Sequence, residues 1–289
     1  MHSVAVIDAD EKVSLGGISS SVPWWSIGKT VLAVAALRLV EMGLLPLHAK
    51  LAGEPFTLAQ LLRHEAGLPD YGGFAAYQAD IDVGRSPWPV GQLLTALDAA
   101  RPRYEPGTGW AYSNIGYLKV RMLIEATTGA PLDTTLRQLV FAPLGLATAR
   151  LALQPADLAD VEMGFRCSYH PGWVYHGLIT GSVVDAASLL KKLIDGHILQ
   201  PETFASMLEG RALPEYRSRT FPNPAYGLGL MLEADNPLAH PLGHRGVGPG
   251  SAMAVFALGK KSCAAWLAPA QNADQVVDLV YKQLGNDAQ

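Results

Sequence analysis

Residues 26–42 are predicted to form a helix with apolar side chains on nearly all of its faces. A helix of this kind is buried, because any face left in water would expose apolar surface. Gly43 follows it as a C-terminal stop. The rest of the chain can cover this helix, since 49% of the 289 residues are hydrophobic and only 17% are charged. That balance excludes a disordered chain and predicts a globular protein with a large core.

Charge and cysteine content narrow the functional class. The formal charge of −4 leaves no basic surplus for binding nucleic acid or anionic lipid. The two cysteines, Cys167 and Cys263, are too few for a disulfide-rich fold or a multi-cysteine metal site, and Cys167 is expected to be an inert thiol. No signal peptide is visible, and the most apolar stretch, residues 31–45, contains Arg38 and Glu41. We therefore expect a cytoplasmic enzyme or small-molecule binder with no nucleic-acid or membrane partner.

The two ends of the chain carry strand patterns, and the middle carries helical ones. Alternating apolar residues predict an N-terminal hairpin whose turn is at residues 8–11. Further strands are predicted at 226–232, 251–258 and 262–268, and helices at 57–63, 90–100, 116–128, 184–196 and 273–284. These patterns predict an α/β (α+β) fold, with one antiparallel sheet built from both chain termini and flanked by helices, and a mostly helical inserted domain. The predicted sheet domain is 1–46 and 215–289, the helical domain is 47–214, and the active site lies at their interface.

Ser26 and Lys29 stand three residues apart at the start of the predicted buried helix. Residues at this spacing share a helix face, so Ser26 Oγ and Lys29 Nζ can meet. Burial disfavours the ammonium form, and a neutral lysine can accept the serine proton. The spacing alone is not specific, because Ser188 and Lys191 repeat it inside an ordinary amphipathic helix.

Tyr112-Ser113-Asn114 is a second candidate motif, in a Gly/Pro-containing loop just before the helix at 116–128. Such a loop can present a phenol for proton transfer and an amide for binding a substrate carbonyl. Capping preference alone favours another interpretation, in which Tyr112 is a loop residue and Asn114 is the N-cap of the helix.

The third candidate motif begins at His244 and continues as a glycine-rich run up to the predicted strand at 251–258. His170 has the same His-x-Gly form, but no apolar strand follows it closely. Glycines after His244 allow the backbone to approach a ligand. A backbone N–H there, together with that of Ser26, can form an oxyanion hole.

Taken together and in this order, the motifs resemble those of the serine β-lactamase and penicillin-binding-protein superfamily. The resemblance is strongest to the branch with class C β-lactamases, family VIII esterases and D-aminopeptidases. Ser26 and Tyr112 are 86 residues apart, and Asn114 and His244 are 130 apart, which suits that branch. The segments LLRHEAGLPDY, YEPGTGWAYSNIGY and GHRGVGPGSA also resemble it, so the likeness extends from about Val22 to the C-terminus.

The resemblance implies a role for each motif residue. Ser26 would be the acylated nucleophile, Lys29 its proton acceptor, and Tyr112 the acid/base shared by acylation and deacylation. Asn114 would contact a substrate amide, and the backbone N–H groups of Ser26 and Val247 would hold the oxyanion. No separate deacylating glutamate can be assigned, and no metal or organic cofactor is required.

The third motif departs from the usual Lys-Thr-Gly of β-lactamases in this branch. His244 and Arg245 replace the lysine and the hydroxyl residue, while Gly246 is retained. His-x-Gly occurs in D,D-peptidases, D-aminopeptidases and esterases of the superfamily. Arg245 either binds a substrate carboxylate or is simply solvated, and both possibilities stay open.

The predicted function is a serine hydrolase that forms an acyl-enzyme on Ser26 and hydrolyses a small ester or amide. A β-lactamase or D,D-carboxypeptidase of the same fold is the first alternative, and a catalytically idle binding or sensor module is the second. Several aromatic residues are candidates for the cleft wall, although core packing explains each one singly. They are Trp25, Tyr71, Trp88, Trp110 and Tyr226, with Tyr71 and Trp110 preferred because they lie in loops beside the motifs.

Overall fold

The computed structural model describes residues 1–164, 169–270 and 272–285. Its strands are β1 (His2–Ile7), β2 (Val13–Gly17), β3 (Val22–Pro23), β4 (Arg150–Ala152), β5 (Leu178–Gly181), β6 (Arg211–Ala212), β7 (Pro224–Tyr226), β8 (Met231–Glu233), β9 (Leu242–Gly248), β10 (Ser251–Leu258) and β11 (Lys261–Leu267). Its helices are α1 (Gly28–Glu41), α2 (Leu58–Leu62), α3 (Ala75–Asp82), α4 (Val90–Ala96), α5 (Asn114–Thr128), α6 (Leu132–Leu136), α7 (Val183–Ile194), α8 (Pro201–Leu208) and α9 (Asp274–Leu284). Cys167 lies outside the described residues.

Both chain ends contribute to one antiparallel sheet of eight strands in the order β2-β1-β11-β10-β9-β8-β7-β6. The ends meet where β1 pairs with β11, in a register that runs from His2 opposite Leu267 to Ile7 opposite Ser262. A second, smaller sheet has the order β3-β5-β4. The predicted α/β fold, with its antiparallel sheet flanked by helices, is confirmed.

Alternation along the central strands divides the core into two layers. In β10, Met253 and Val255 belong to the larger core, which α7 also joins. Ala254 and Phe256 point the other way and pack with α9. Because successive side chains of a strand point to opposite faces, α7 and α9 cover opposite sides of the sheet.

The predicted buried helix is α1, preceded by one 3₁₀ turn at Trp25–Ile27. Of its 14 residues, 11 are buried. It packs against α5 and α6, and the 3₁₀ turn in front of it contacts β9. This packing sets the start of α1 beside the sheet, where the first and third motifs can meet.

One predicted strand is wrong in extent. Within the predicted range 226–232, residues 227–230 form the turn of a hairpin between β7 and β8, in which Gly227 N–H donates to the Leu230 carbonyl at 2.8 Å. Gly229 has a φ of +81°, a conformation that glycine adopts without strain. The predicted domains, a sheet domain of 1–46 and 215–289 and a helical domain of 47–214, stay a prediction. Helix α7, which falls in the predicted helical domain, packs on the sheet.

Two further properties concern partners. None of the helices within 1–164, 169–270 and 272–285 is long and apolar enough to cross a membrane. Within the same described ranges, no group of three or more His, Cys, Asp and Glu side chains is arranged to hold a metal ion.

Candidate active site

Ser26 lies in the 3₁₀ turn that leads into α1, and its side chain is partly exposed. The residue before it, Trp25, has a φ of +45°, which is unusual for a bulky residue. The Trp25 ring is fixed by a 3.1 Å hydrogen bond from its Nε1 to Ser251 Oγ and by an edge contact with Tyr169. The strained turn holds Ser26 at the boundary between the buried helix and an open cavity.

Lys29 is fully buried, with 0% of its surface exposed. Its Nζ lies 3.1 Å from Ser26 Oγ and donates a 2.7 Å hydrogen bond to Asn114 Oδ1. Burial lowers the pKa of Lys29 to about 7, and the nearby Asp70 carboxylate partly opposes that shift. A large fraction of Lys29 is therefore a neutral amine near pH 7, able to accept a proton from Ser26.

Tyr112 completes the contact with the serine. Its hydroxyl donates a 2.8 Å hydrogen bond to Ser26 Oγ, and Lys29 Nζ lies 4.8 Å from the centre of its ring. Burial raises the pKa of Tyr112 above its usual range, although the Ser26 bond acts against this. The phenol is thus protonated at neutral pH, and its phenolate would be a strong base.

The alternative interpretation of Asn114 as the N-cap of α5 is wrong. The cap is Ser113, whose Oγ accepts a 2.9 Å bond from Gly116 N–H. Asn114 is the first residue of α5, which leaves its side chain free to bond Lys29. Capping preference did not separate two neighbouring residues that both favour the cap position.

Asp70 is a site residue that the motifs did not predict, although it belongs to the segment LLRHEAGLPDY that resembles the family. Its carboxylate accepts the backbone N–H of Asn114 at 2.7 Å and that of Gly72 at 3.0 Å. It therefore holds the start of α5 in place and supplies the negative charge that Lys29 senses. An Asp two residues before a glycine indicates a turn, but nothing in the sequence connects it to a helix 44 residues later.

The third motif lies on strand β9, which was not among the predicted strands. The strand passes very close to the nucleophile. A Cβ placed on Gly246 would lie 2.5 Å from Ser26 N, and one on Gly248 would lie 2.4 Å from the Trp25 ring. Only glycine allows this approach, which brings the β9 backbone to the Ser26 backbone.

His244 and Arg245 point to opposite faces of β9. His244 is buried, and its Nδ1 lies 2.7 Å from the Arg245 carbonyl oxygen, so Nδ1–H donates and Nε2 accepts a 2.9 Å bond from Tyr226. Burial lowers the pKa of His244 to about 3, which keeps the ring neutral. Arg245 forms an ion pair with Asp274 of α9 and lies over the Phe221 ring, on the side of the sheet opposite Ser26.

A cavity of about 410 Å³ opens in front of the serine. It is lined by Ser26, Asn114, Val247, Trp25, Tyr71, Gly72, Tyr77, Gln78, Ile81, Asp82, Tyr169, Val174, His176, Gly248 and Pro249. Trp25 and Tyr71 thus lie in the wall, as two of the aromatic candidates. Trp110 and Tyr226 pack instead against His64, behind the site, and Trp88 packs against Trp173.

The fold agrees with comparisons to known proteins. The model of the Beta-lactamase family matches residues 4–284, so the chain belongs to that family. The membership of the β-lactamase and penicillin-binding-protein superfamily that the motifs predicted is confirmed.

Several relatives show the range within the family. Penicillin-binding protein 4* of Bacillus subtilis is 28% identical over 180 residues, which are 58% of this chain and 39% of that protein. A D-aminopeptidase of Cereibacter sphaeroides is 27% identical over 112 residues, 39% of this chain and 22% of that protein. The fold also matches a D-stereospecific amidohydrolase from Streptomyces sp. with a TM-score of 0.81, 22% identity, and coverage of 97% of this chain and 93% of that one. The chain thus spans well under half the length of these two curated relatives.

Proposed function

We propose that this protein hydrolyses a small ester or amide through an acyl-enzyme on Ser26. The observation that carries the proposal is that Ser26 Oγ lies within hydrogen-bond distance of both Lys29 Nζ and the Tyr112 hydroxyl. A serine is a weak nucleophile by itself, and it needs a base within this reach. The intact set of contacts also argues against a catalytically idle binding module.

In the proposed acylation, neutral Lys29 takes the proton of Ser26 while Oγ bonds to the substrate carbonyl carbon. The backbone N–H groups of Ser26 and Val247 hold the oxyanion, which the approach of β9 to Ser26 supports. As the tetrahedral intermediate collapses, Tyr112 gives its proton to the leaving group. The site is then an acylated Ser26 with a phenolate beside an ammonium.

The proposed deacylation returns every group to its starting state. The Tyr112 phenolate takes a proton from water, and the resulting hydroxide attacks the acyl carbonyl. Ser26 Oγ leaves with the proton held by Lys29. The raised pKa of Tyr112 suits this step, because the phenolate formed in acylation is then a strong base.

The charges around the cavity favour an acyl group without a carboxylate. Arg245 is engaged with Asp274, and His244 is neutral, so neither presents a cation to the cavity. Among the described lining residues, Asp82 is the single acidic or basic residue apart from the histidine, and four aromatic rings form much of the wall. An apolar or aromatic acyl ester or amide fits this lining.

A β-lactamase or D,D-carboxypeptidase is the second candidate function. It is favoured by the 28% sequence identity to Penicillin-binding protein 4* over 180 residues.

A panel of acyl donors tests the function. The protein is mixed with a p-nitrophenyl ester, D-phenylalanine amide, penicillin G, nitrocefin and a fluorophosphonate, and both turnover and intact-protein mass are followed in time. We expect turnover of the ester or the amide and a fluorophosphonate adduct that peptide mapping places on Ser26. A stable penicillin adduct or fast nitrocefin hydrolysis would favour the second candidate. No adduct with any compound would overturn the proposal.

The pH dependence of ester hydrolysis provides an independent check. Since the pKa of Lys29 is lowered to about 7 and the neutral amine is the active form, kcat/KM is expected to rise as pH increases through about 7. Asp70→Asn removes the charge that raises the Lys29 pKa, so the midpoint should move to lower pH. Rates are measured from pH 5.5 to 9, with uncatalysed hydrolysis subtracted. A flat profile, or a midpoint that moves up in the variant, would contradict the assignment of Lys29 as the base.

A further inference from the structure

His64 is a fully buried histidine behind Tyr112, outside the three motifs, and it has no role in the mechanism above. Its ring lies among four aromatic rings. The ring centroids are 4.5 Å from Tyr112, 4.7 Å from Tyr226, 5.1 Å from Tyr117 and 5.9 Å from Trp110. Burial, together with the charge of Lys29, holds the pKa of His64 well below its usual range, so the ring is neutral.

The hydrogen bonds of His64 establish its tautomer. Nδ1 lies 3.1 Å from the backbone N–H of Ser113, and because that group can only donate, Nδ1 carries the lone pair. Nε2 therefore carries the proton. The His64 carbonyl accepts bonds from the Tyr104 hydroxyl at 3.1 Å and from Ala111 N–H at 3.2 Å. His64 is thus hydrogen-bonded to the residue before Tyr112 and to the residue after it.

Two features of His64 are unfavourable for stability. Its φ is +61°, a left-handed conformation that few residues other than glycine adopt. Its Nε2 is buried and has no hydrogen-bond partner among the described residues. A glycine would avoid the first cost, and an apolar residue would avoid the second. Strain that persists beside a reactive centre points to a functional requirement.

We propose that His64 is a positioning residue for Tyr112, in an inference that depends on the function proposed above. The Nδ1 bond fixes the peptide that follows Tyr112, and the tilted ring packs directly against the phenol ring. Together they hold the Tyr112 hydroxyl on Ser26 Oγ. His64 is not among the described residues that line the cavity, so it would act through Tyr112 and not on the substrate directly.

Two substitutions of His64 distinguish the contribution of its aromatic ring from that of its hydrogen bond to Ser113 N–H. His64→Phe keeps an aromatic ring but removes the acceptor for Ser113 N–H. His64→Asn removes the ring, but its Oδ1 can replace Nδ1 as acceptor, and asparagine tolerates a positive φ. We expect His64→Phe to lower kcat by about 10²-fold with KM little changed, because the phenol is misplaced while the cavity is intact. His64→Asn should recover part of that loss.

A double-mutant cycle with Tyr112→Phe distinguishes positioning from a general structural effect. If His64 acts through the Tyr112 hydroxyl, His64→Phe should cost little further activity once that hydroxyl is absent. The same factor lost in both backgrounds, or a change confined to KM, would overturn the inference. If His64→Phe does not fold, as circular dichroism would show, His64→Asn is put through the same cycle. Should Tyr112→Phe itself leave kcat unchanged, the proposed acid/base role of Tyr112 fails and the inference about His64 fails with it, whereas failure of the proposed function would show as the absence of any adduct on Ser26.

Discussion

Replacing Ser26 with alanine is expected to abolish ester turnover and fluorophosphonate labelling together. Loss of the nucleophile of a serine hydrolase reduces kcat on the order of 10⁴–10⁶-fold, leaving only what binding and the oxyanion hole supply. Ser26 is partly exposed, and the change to alanine removes a single oxygen atom, so the fold should be retained. Turnover, intact-protein mass and thermal midpoint are measured on the same preparation.

The chain contains its own control for this experiment. Ser188 stands three residues before Lys191 on α7, the same spacing as the proposed pair. Lys191 is paired there with Asp195, one turn further along the helix. Ser188→Ala should therefore keep full turnover and labelling. Labelling of Ser26→Ala at the normal rate, or loss of labelling in Ser188→Ala, would show that the nucleophile has been misassigned.

Gly246→Ala is expected to have the second largest effect. The new methyl group would lie 2.5 Å from Ser26 N and 2.7 Å from Trp25 Cβ, distances that no rotamer change can relieve. Strand β9 or the 3₁₀ turn must then move, and a shift of about 1 Å at a reacting centre costs about 10²-fold in rate. Overpacking of this kind also lowers the free energy of unfolding by about 1–3 kcal/mol.

Gly91→Ala is the matched control, because a Cβ on Gly91 of α4 meets no atom of the described residues within 4 Å. It should raise the free energy of unfolding slightly, since alanine favours a helix over glycine by about 1 kcal/mol. Activity and urea unfolding are compared for the two variants. If Gly246→Ala kept wild-type kcat/KM, the close approach of β9 to Ser26 would not matter for catalysis.

The parts of the fold that the sequence predicted well are those in which local pattern and burial agree. Strand β10 was predicted at its observed bounds and α1 within two residues of its start, because alternation and an all-round apolar helix are strong patterns. Strand β9 was missed because its glycines lower strand propensity. They are present for a tertiary reason, the passage beside Trp25 and Ser26.

The candidate site shows the same difference between features that local sequence predicts and features that depend on tertiary packing. Ser26 and Lys29 had to be neighbours, since a helix places residues three apart on one face. The contact of Tyr112 with Ser26, across 86 residues, came only from the resemblance to a family. Neither the role of Asp70 nor that of His64 could be derived, because each acts through a backbone N–H far along the chain.

Arg245 shows most clearly where local information ends. In the sequence, the cationic Arg245 directly follows His244, but the sequence left open whether the guanidinium contacts a substrate. Because successive residues of β9 face opposite sides of the sheet, Arg245 faces Asp274 on α9, whereas Gly246 faces Ser26. The local amino-acid sequence thus specified the serine–lysine pair and the order of the motifs. The packing of β9 between two layers specified the charge around the cavity, because the face on which a strand residue lies depends on pairing with strands elsewhere in the chain.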